Sequence, residues 1–214
     1  PAFPPQAMAS IKGPIRELTM ATFSFDGNEM NDTIVALTED DVLVTFGELP
    51  LGESSLPPGS TTIPFEVHGA LKTGAFAYVT TEGVLRQWAP DARAIHLPLA
   101  SSIVDVAVSA RYVTEGRARI EQQGAILLSS GRLFRWGANS SGELGRHPAE
   151  LAEVEHPLEM THLGKPVVSF ATTVSATCAS LVDGKIVCWG ANDNGELGRG
   201  DLDEEYHPDA AEIE

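Results

Sequence analysis

Two cysteines are the residues whose spacing most directly suggests chemistry. Cys178 and Cys188 are the only cysteines among the 214 residues, and they flank the turn Val182-Asp183-Gly184. If these three residues form a β-hairpin turn, the strand register places Cys178 directly opposite Cys188. Opposed cysteines on antiparallel strands fall within the Cα separation of about 4.4–6.8 Å that a disulfide needs. The spacing predicts a disulfide and favours an extracytoplasmic or secreted location over a cytoplasmic one, with two reduced core thiols as the alternative.

The remaining candidate groups do not form a recognisable chemical set. The six histidines lack the short spacings of metal ligands, and the sequence has no Gly-x-Ser-x-Gly or glycine-rich phosphate-binding motif. Residues 192–196 are similar to the start of a calcium loop but lack its downstream bidentate glutamate. The sequence therefore predicts no catalytic residue, no metal and no cofactor.

Charge is the strongest feature of the composition. Thirty acidic residues against fourteen basic ones give a formal charge of −16, which repels nucleic acid and anionic membrane surfaces. No apolar run approaches the ~20 residues of a membrane span. We expect a protein partner, with a basic protein as the candidate, no nucleic acid and no membrane insertion. The candidate partner-binding residues form one acidic run that we predict to be a loop: Asp201, Asp203, Glu204, Glu205 and Tyr206. The alternative interpretation is that this run is only a solvent-exposed face.

The cysteines and the acidic run lie in a chain that is built from a repeated sequence unit. GRLFRWGANSSGELGR at residues 131–146 recurs as GKIVCWGANDNGELGR at residues 184–199, and residues 36–47 and 78–90 are weaker relatives. Each unit has an apolar strand, a short turn and a second strand that ends on an aromatic residue. These closing aromatics are spaced 42, 48 and 53 residues apart: Phe46, Trp88, Trp136 and Trp189.

The turns and the segments between them predict an all-β chain. Gly83, Gly131 and Gly184 suit a turn position with positive φ, and Asp41 is the poorer substitute in the first unit. Further β-type runs occupy residues 14–25, 63–73, 101–113 and 165–176, whereas Pro157 limits residues 149–163 to a single helical turn. Short strands that repeat every ~50 residues predict a β-propeller of four units.

The two long copies resemble the signature of the regulator of chromosome condensation (RCC1) repeat family, Trp-Gly-x-Asn followed by Gly-Gln-Leu-Gly and a downstream proline. The resemblance covers roughly residues 120–210 and is weak before them. Glu143 and Glu196 replace the family glutamine, and His156 and His207 precede the downstream prolines at what we take to be matching positions. The motif residues are predicted to be scaffolding: Trp136, Gly137, Asn139, Gly142, Leu144, Gly145, Trp189, Gly190, Asn192, Gly195, Leu197 and Gly198.

The resemblance implies a propeller that usually closes with seven blades, whereas this chain supplies four. We expect a small ring or, with slight preference, an incomplete or partner-completed propeller whose open edges allow self-association. An extended lead-in at residues 1–13 would precede one domain at 14–214, with repeats at about 14–62, 63–100, 101–164 and 165–214.

A non-catalytic protein-interaction module that presents blade loops to a protein partner is the favoured function. The resemblance also allows guanine-nucleotide exchange on a small GTPase or inhibition of a secreted enzyme. A hydrolase with a central acidic site is the least favoured alternative.

Overall fold

The computed structural model describes residues 13–23, 31–47, 65–68, 70–74, 77–87, 95–96, 103–113 and 119–213. They form four antiparallel sheets, each with four sequence-consecutive strands. The first sheet contains β1 (Ile15–Phe23), β2 (Asn31–Thr38), β3 (Val42–Gly47) and β4 (Phe65–His68). The second contains β5 (Ala70–Gly74), β6 (Ala77–Thr80), β7 (Val84–Gln87) and β8 (Ile95–His96).

The third sheet contains β9 (Ile103–Val113), β10 (Arg119–Leu128), β11 (Leu133–Ala138) and β12 (Glu153–Glu159). The fourth contains β13 (Val167–Thr172), β14 (Ala176–Leu181), β15 (Ile186–Asn192) and β16 (Asp203–Glu212). A 3₁₀ turn, Thr161–Leu163, links these two sheets, and the described residues contain no α-helix. The all-β prediction is confirmed.

The second and third strands of every sheet are joined by the turn that the sequence predicts. Gly83, Gly131 and Gly184 have φ of 82°, 80° and 85°. Asp41, at φ 60°, is the one non-glycine residue with positive φ in the described ranges. In the fourth sheet the Gly184 N–H donates to the Leu181 carbonyl at 2.9 Å, and the other three turns close with the same bond. The four hairpins are therefore equivalent.

Neighbouring sheets pack against each other in chain order. Apolar side chains of the second and third sheets form one core, which includes Leu85, Ile126 and Trp136. A second core between the third and fourth sheets includes Leu127 and Trp189. The first sheet contacts the second, but no comparable contact joins the first sheet to the fourth among the strands that the structure describes. These strands therefore form an open succession of four sheets.

The outer strands β12 and β16 are not predicted by the sequence. Both strands are acidic, both contain a proline, and both pair with irregular register. A proline is tolerated in them because an edge strand can lack some of the hydrogen bonds between strands. The acidic run predicted as a loop lies partly in β16: Asp203, Glu204, Glu205 and Tyr206 are strand residues, and Asp201 precedes the strand.

Two further details of the sequence interpretation change. His207 pairs with Gly190, and the corresponding pair in the third sheet is Val154 with Gly137. Because His207 corresponds to Val154, the matching of His156 with His207 was wrong by two positions.

The β-type run at 63–73 is divided between β4 and β5 of different sheets. Trp88 and residues 1–12 of the predicted lead-in lie outside the described residues.

Candidate interaction surface

The repeat motif builds the contact between the third and fourth sheets. Trp189 closes β15 and is fully buried, and its indole Nε1 donates to the Glu143 carbonyl of the third sheet at 2.9 Å. Leu144 and Leu197, which follow the motif glutamates, are 1% and 0% exposed. Trp136 occupies the same position one sheet earlier and is buried against the second sheet. The structure thus places Trp136 and Trp189 in the packing between sheets, whereas Leu197 packs against Ala176 and Cys188 of its own sheet.

The two motif asparagines hold the turns that follow the closing strands. Asn139 Oδ1 accepts from the Leu144 N–H at 2.8 Å, and its Nδ2 donates to the Leu151 carbonyl at 2.6 Å. Asn192 Oδ1 likewise accepts from the Leu197 N–H at 3.3 Å. Both side chains are fully buried. Each amide satisfies backbone groups that would otherwise be unpaired in a tight turn.

The motif glycines allow backbone conformations that other residues rarely adopt. The clearest case is Gly190, at φ 112°, where a Cβ would lie 2.2 Å from the Ser175 carbonyl oxygen. This close approach of two backbone segments excludes a side chain. The remaining motif glycines also have positive φ: Gly137, Gly142, Gly145, Gly195 and Gly198.

A buried arginine lies in the same contact and was not predicted. Arg135 is fully buried, donates through Nη2 to Gln123 Oε1 at 3.1 Å, and also donates to the Thr177 hydroxyl of the fourth sheet. Gln123 Nε2 in turn donates to Glu143 Oε1 at 3.0 Å. Burial lowers the pKa of Arg135 to about 10, partly offset by the negative charge of Glu143. Glu143 therefore supplies the negative charge that a buried arginine needs, which the glutamine of the family motif would not.

Cys178 and Cys188 form the predicted disulfide. They are directly paired in β14 and β15, with a Cα separation of 4.1 Å. Cys188 is buried, while Cys178 is partly exposed on the side of the sheet away from Trp189. The disulfide therefore links the two central strands of the fourth sheet.

The acidic residues of β16 differ in their availability to a partner. The Asp203 carboxylate accepts from Asn192 Nδ2 at 3.1 Å, from His207 Nε2 at 2.7 Å and from the Glu205 N–H at 2.9 Å. These bonds lower the pKa of Asp203 to about 2, the Asn192 bond contributing most. Asp203 is thus engaged within the chain.

His207 connects Asp203 to a basic side chain. Arg199 Nη1 lies 2.8 Å from His207 Nδ1. Because a guanidinium can only donate, His207 Nδ1 must accept, and the ring proton lies on Nε2, from which it donates to Asp203. This chain of bonds fixes the start of β16.

The other residues of this region are exposed, and we call them the acidic edge: Asp201, Leu202, Glu204, Glu205 and Tyr206. The side chains of Leu202 and Tyr206 are 69% and 51% exposed. Tyr206 makes an edge-on ring contact with His147 of the third sheet at a centroid distance of 5.7 Å. Apolar and negatively charged groups are therefore presented together in β16 and the two residues before it, where the start of the strand is fixed.

The described residues contain no group of three or more His, Cys, Asp or Glu side chains that could hold a metal ion. They also contain no helix long and apolar enough to cross a membrane.

Comparison with known proteins agrees with the motif and the fold. No protein-family model matches the chain. An RCC1 domain-containing protein, RUG3 (mitochondrial) from Arabidopsis thaliana, is 38% identical over 82 residues, which are 36% of this chain and 18% of that protein. The human WBSCR16 structure matches 98% of this chain and 55% of its own, with a TM-score of 0.65 and 18% identity. Yeast RCC1 (Prp20) in complex with Kap60 matches 85% of this chain and 46% of its own, with a TM-score of 0.66 and 15% identity.

These findings define the class of the protein as a β-propeller-type repeat fold. The chain covers about half of the length of these solved structures, and the 82-residue match covers about a fifth of the RUG3 protein. With the two motif copies and the equivalent hairpins, it carries RCC1-like repeats.

Proposed function

We propose that the chain is a non-catalytic protein-interaction module and that the acidic edge is its docking site. The observation that carries the proposal is the exposure of Leu202 and Tyr206 beside three carboxylates, at the start of a strand held by the Asn192–Asp203–His207 bonds and in the two residues before it. Exposed apolar area supplies affinity, while the surrounding charge selects the partner and speeds its approach. The chemistry of the surface fits a basic protein partner.

The internal bonds of Asp203 favour binding for an entropic reason. A docking strand that is already ordered loses little conformational freedom when the partner arrives. Asp203 therefore supports the surface from within, and Glu204 and Glu205 are the exposed acidic residues that follow it directly in β16. A test by charge reversal should change the latter two and leave Asp203 intact.

The experiment uses a partner captured from the source organism, purified, and titrated calorimetrically against the chain at several salt concentrations. We expect the Glu204→Lys/Glu205→Lys variant to bind about ten- to thirtyfold more weakly, since each exposed ion pair contributes up to about 1 kcal/mol and reversal adds repulsion. Its affinity should also depend less on salt.

A matched control carries the same change of charge elsewhere. Glu153 and Glu155 are exposed on β12 of the third sheet, so Glu153→Lys/Glu155→Lys should bind like the unmodified chain. Equal weakening by both variants would show that only net charge matters, and unchanged binding by the first would remove the acidic edge as the site.

A second candidate is a regulator of a small GTPase. It is suggested by the fold match to yeast Prp20, whose structure was described together with its binding properties to Gsp1p and histones. The test is the rate of GDP release from a purified small GTPase of the source organism. Acceleration by the chain would support this function, and no change at saturating chain would argue against it.

A further inference from the structure

Asn194 and Gly195 form the only Asn-Gly dipeptide of the chain, which contains five asparagines. Asparagine is chemically labile, because the backbone nitrogen of the next residue can attack its side-chain amide. A glycine in that next position leaves the nitrogen unshielded, since glycine has no Cβ. The sequence thus singles out one asparagine for a reaction that needs no enzyme.

The structure leaves this dipeptide open to water. Asn194 is exposed and Gly195 is partly exposed. The two motif asparagines, Asn139 and Asn192, are both 0% exposed, and their amide groups donate to backbone carbonyls. Water and base therefore reach the Asn194 side chain, while these two asparagines are shielded by the fold.

The third sheet contains the same turn without the labile residue. Ser141 takes the place of Asn194 in the other motif copy. The Ser141 N–H donates to Glu143 Oε2 at 2.8 Å, as the Asn194 N–H donates to Glu196 Oε2 at 2.9 Å. In both turns the next N–H, that of the glycine, bonds the carbonyl of the motif asparagine. The turn therefore forms without an asparagine at this position, and serine is a matched replacement.

We propose that Asn194 is a site of spontaneous modification, at which asparagine is converted into aspartate and isoaspartate. The Gly195 nitrogen attacks Asn194 Cγ, so that a new N–C bond forms and the Cγ–Nδ2 bond breaks. The side-chain nitrogen leaves as ammonia, and the proton that it takes up comes from the Gly195 nitrogen through solvent. Water then opens the resulting five-membered ring. Addition at Cγ gives aspartate, and addition at the main-chain carbonyl gives isoaspartate.

Either product removes a donor from the turn. Asn194 Nδ2 donates to Glu196 Oε1 at 3.0 Å, and this bond is the main cause of the lowered pKa of Glu196. An ionised carboxylate can only accept, so the modified residue would place a second negative charge where this bond now lies. Isoaspartate also lengthens the main chain by one carbon atom.

The lengthened main chain would lie within the bonds that fix the start of β16. The Gly195 N–H donates to the Asn192 carbonyl at 3.1 Å, and the Leu197 N–H donates to Asn192 Oδ1 at 3.3 Å. Nδ2 of the same asparagine donates to the Asp203 carboxylate. We therefore expect modification of Asn194 to loosen the turn and the first residues of β16. This consequence concerns the chain alone and does not depend on the acidic edge being a docking site.

The test incubates the 214-residue chain at mildly alkaline pH and follows the conversion by mass spectrometry. Trypsin releases residues 136–146 and 186–199, which carry the two copies of the turn. We expect the second peptide to exchange one amide for an acid, with fragment ions that place the change at Asn194, while Asn139 in the first peptide stays unmodified. A protein isoaspartate methyltransferase should label the product. A sample digested at zero time corrects for conversion during digestion.

The matched control is Asn194→Ser, which installs the residue of the third sheet. This variant should keep the melting temperature of the unmodified chain and lose the conversion of residues 186–199. Incubation of the unmodified chain in urea shows that the assay detects the reaction. Retention of Asn194 in the folded chain, with conversion in urea, would overturn the proposal, and so would an equal conversion of the Asn194→Ser peptide at Asn192.

Hydrogen exchange tests the consequence for β16. Ion exchange separates the modified chain, which carries an additional negative charge. We expect the amides of residues 195–207 to exchange about two- to tenfold faster in it, the effect of losing about one hydrogen bond, and those of residues 153–159 in β12 to be unchanged. Asn194→Asp adds the charge without lengthening the main chain and should give a smaller increase. Equal exchange in the modified and unmodified chains would refute the loosening of β16.

Discussion

The buried arginine between the third and fourth sheets yields the most informative prediction about stability. Replacing Arg135 with methionine removes a cation that is fully buried and that donates to Gln123 and Thr177. The carboxylate of Glu143 is also fully buried and would lose the nearby positive charge. Arg135 Nη1 donates to the backbone carbonyl of Glu143 at 3.1 Å and not to its carboxylate, so the two charges are neighbours and not a direct ion pair. By analogy with the removal of one partner of a buried ion pair, which costs about 3–5 kcal/mol because the other charge is left uncompensated, we expect a loss of this order.

A loss of this size is a large share of the 5–15 kcal/mol that stabilises a typical domain. For a chain of about 150–250 residues, each kcal/mol lowers the melting temperature by about 2–4 °C. Arg135→Met should therefore melt about 6–20 °C below the unmodified protein. Urea unfolding, followed by the fluorescence of the tryptophans, measures the same loss at 25 °C.

The decisive measurement is a double-mutant cycle with Glu143→Gln, which installs the residue of the family motif. Adding Glu143→Gln to Arg135→Met removes the uncompensated charge and should restore about 1–3 kcal/mol. The same change in the unmodified chain leaves Arg135 without a negative neighbour and should destabilise. If Glu143→Gln has the same effect in both backgrounds, the two charges are not coupled and the explanation of the glutamate is wrong.

Two further predictions concern the fourth sheet. Gly190→Ala should cost at least about 2 kcal/mol more than Gly184→Ala in urea unfolding, because both alter a positive-φ glycine but only at Gly190 would the Cβ meet backbone atoms. The pKa of Asp203 is lowered to about 2 from its ordinary 3.8, so its ionised form stabilises the fold fully above about pH 4 and less as the pH falls through 2. The difference in melting temperature between the unmodified chain and Asp203→Asn should therefore be largest near neutral pH, shrink as the pH falls from about 4 to 2, and vanish below pH 2; a constant difference would refute the role of the ionised carboxylate.

The hairpins show how far local sequence determines this fold. The turn residues identify all four hairpins, including the one in which Asp41 adopts φ 60° in place of glycine. The disulfide follows from the same turn length, because a three-residue turn fixes the pairing of Cys178 with Cys188. These features were predictable because each depends on residues close together in the chain.

Arg135 and β16 were not predictable by the same means. An arginine in a strand pattern is ordinarily a solvent-facing residue, and only the packing of a second sheet buries this one. The available signal was the difference between the motif copies, where Arg135 and Gln123 stand in place of Cys188 and Ala176. The acidic, proline-containing β16 carries no alternation of apolar residues, so its strand character comes from pairing with β15.

Comparison of the two motif copies also separates scaffold from function. The asparagines and leucines are identical, are fully buried or nearly so in both copies and form the same bonds, so they explain the fold but not any difference in binding. The copies diverge after the last motif glycine. In the third sheet Asn139 donates to the backbone carbonyls of Arg146 and Leu151, whereas in the fourth Asn192 donates to the Asp201 carbonyl and the Asp203 carboxylate.

That difference has a physical consequence for the strand that follows. In the third sheet both Asn139 donations satisfy backbone groups, so they do not depend on particular side chains at positions 146 and 151. In the fourth sheet the same amide selects an aspartate, which in turn orients His207 and the start of β16. In the fourth sheet Asn192 thus bonds an ionised side chain in addition to the Asp201 carbonyl. If the acidic edge is the docking site proposed above, this bond is what keeps the start of β16 ordered before a partner arrives.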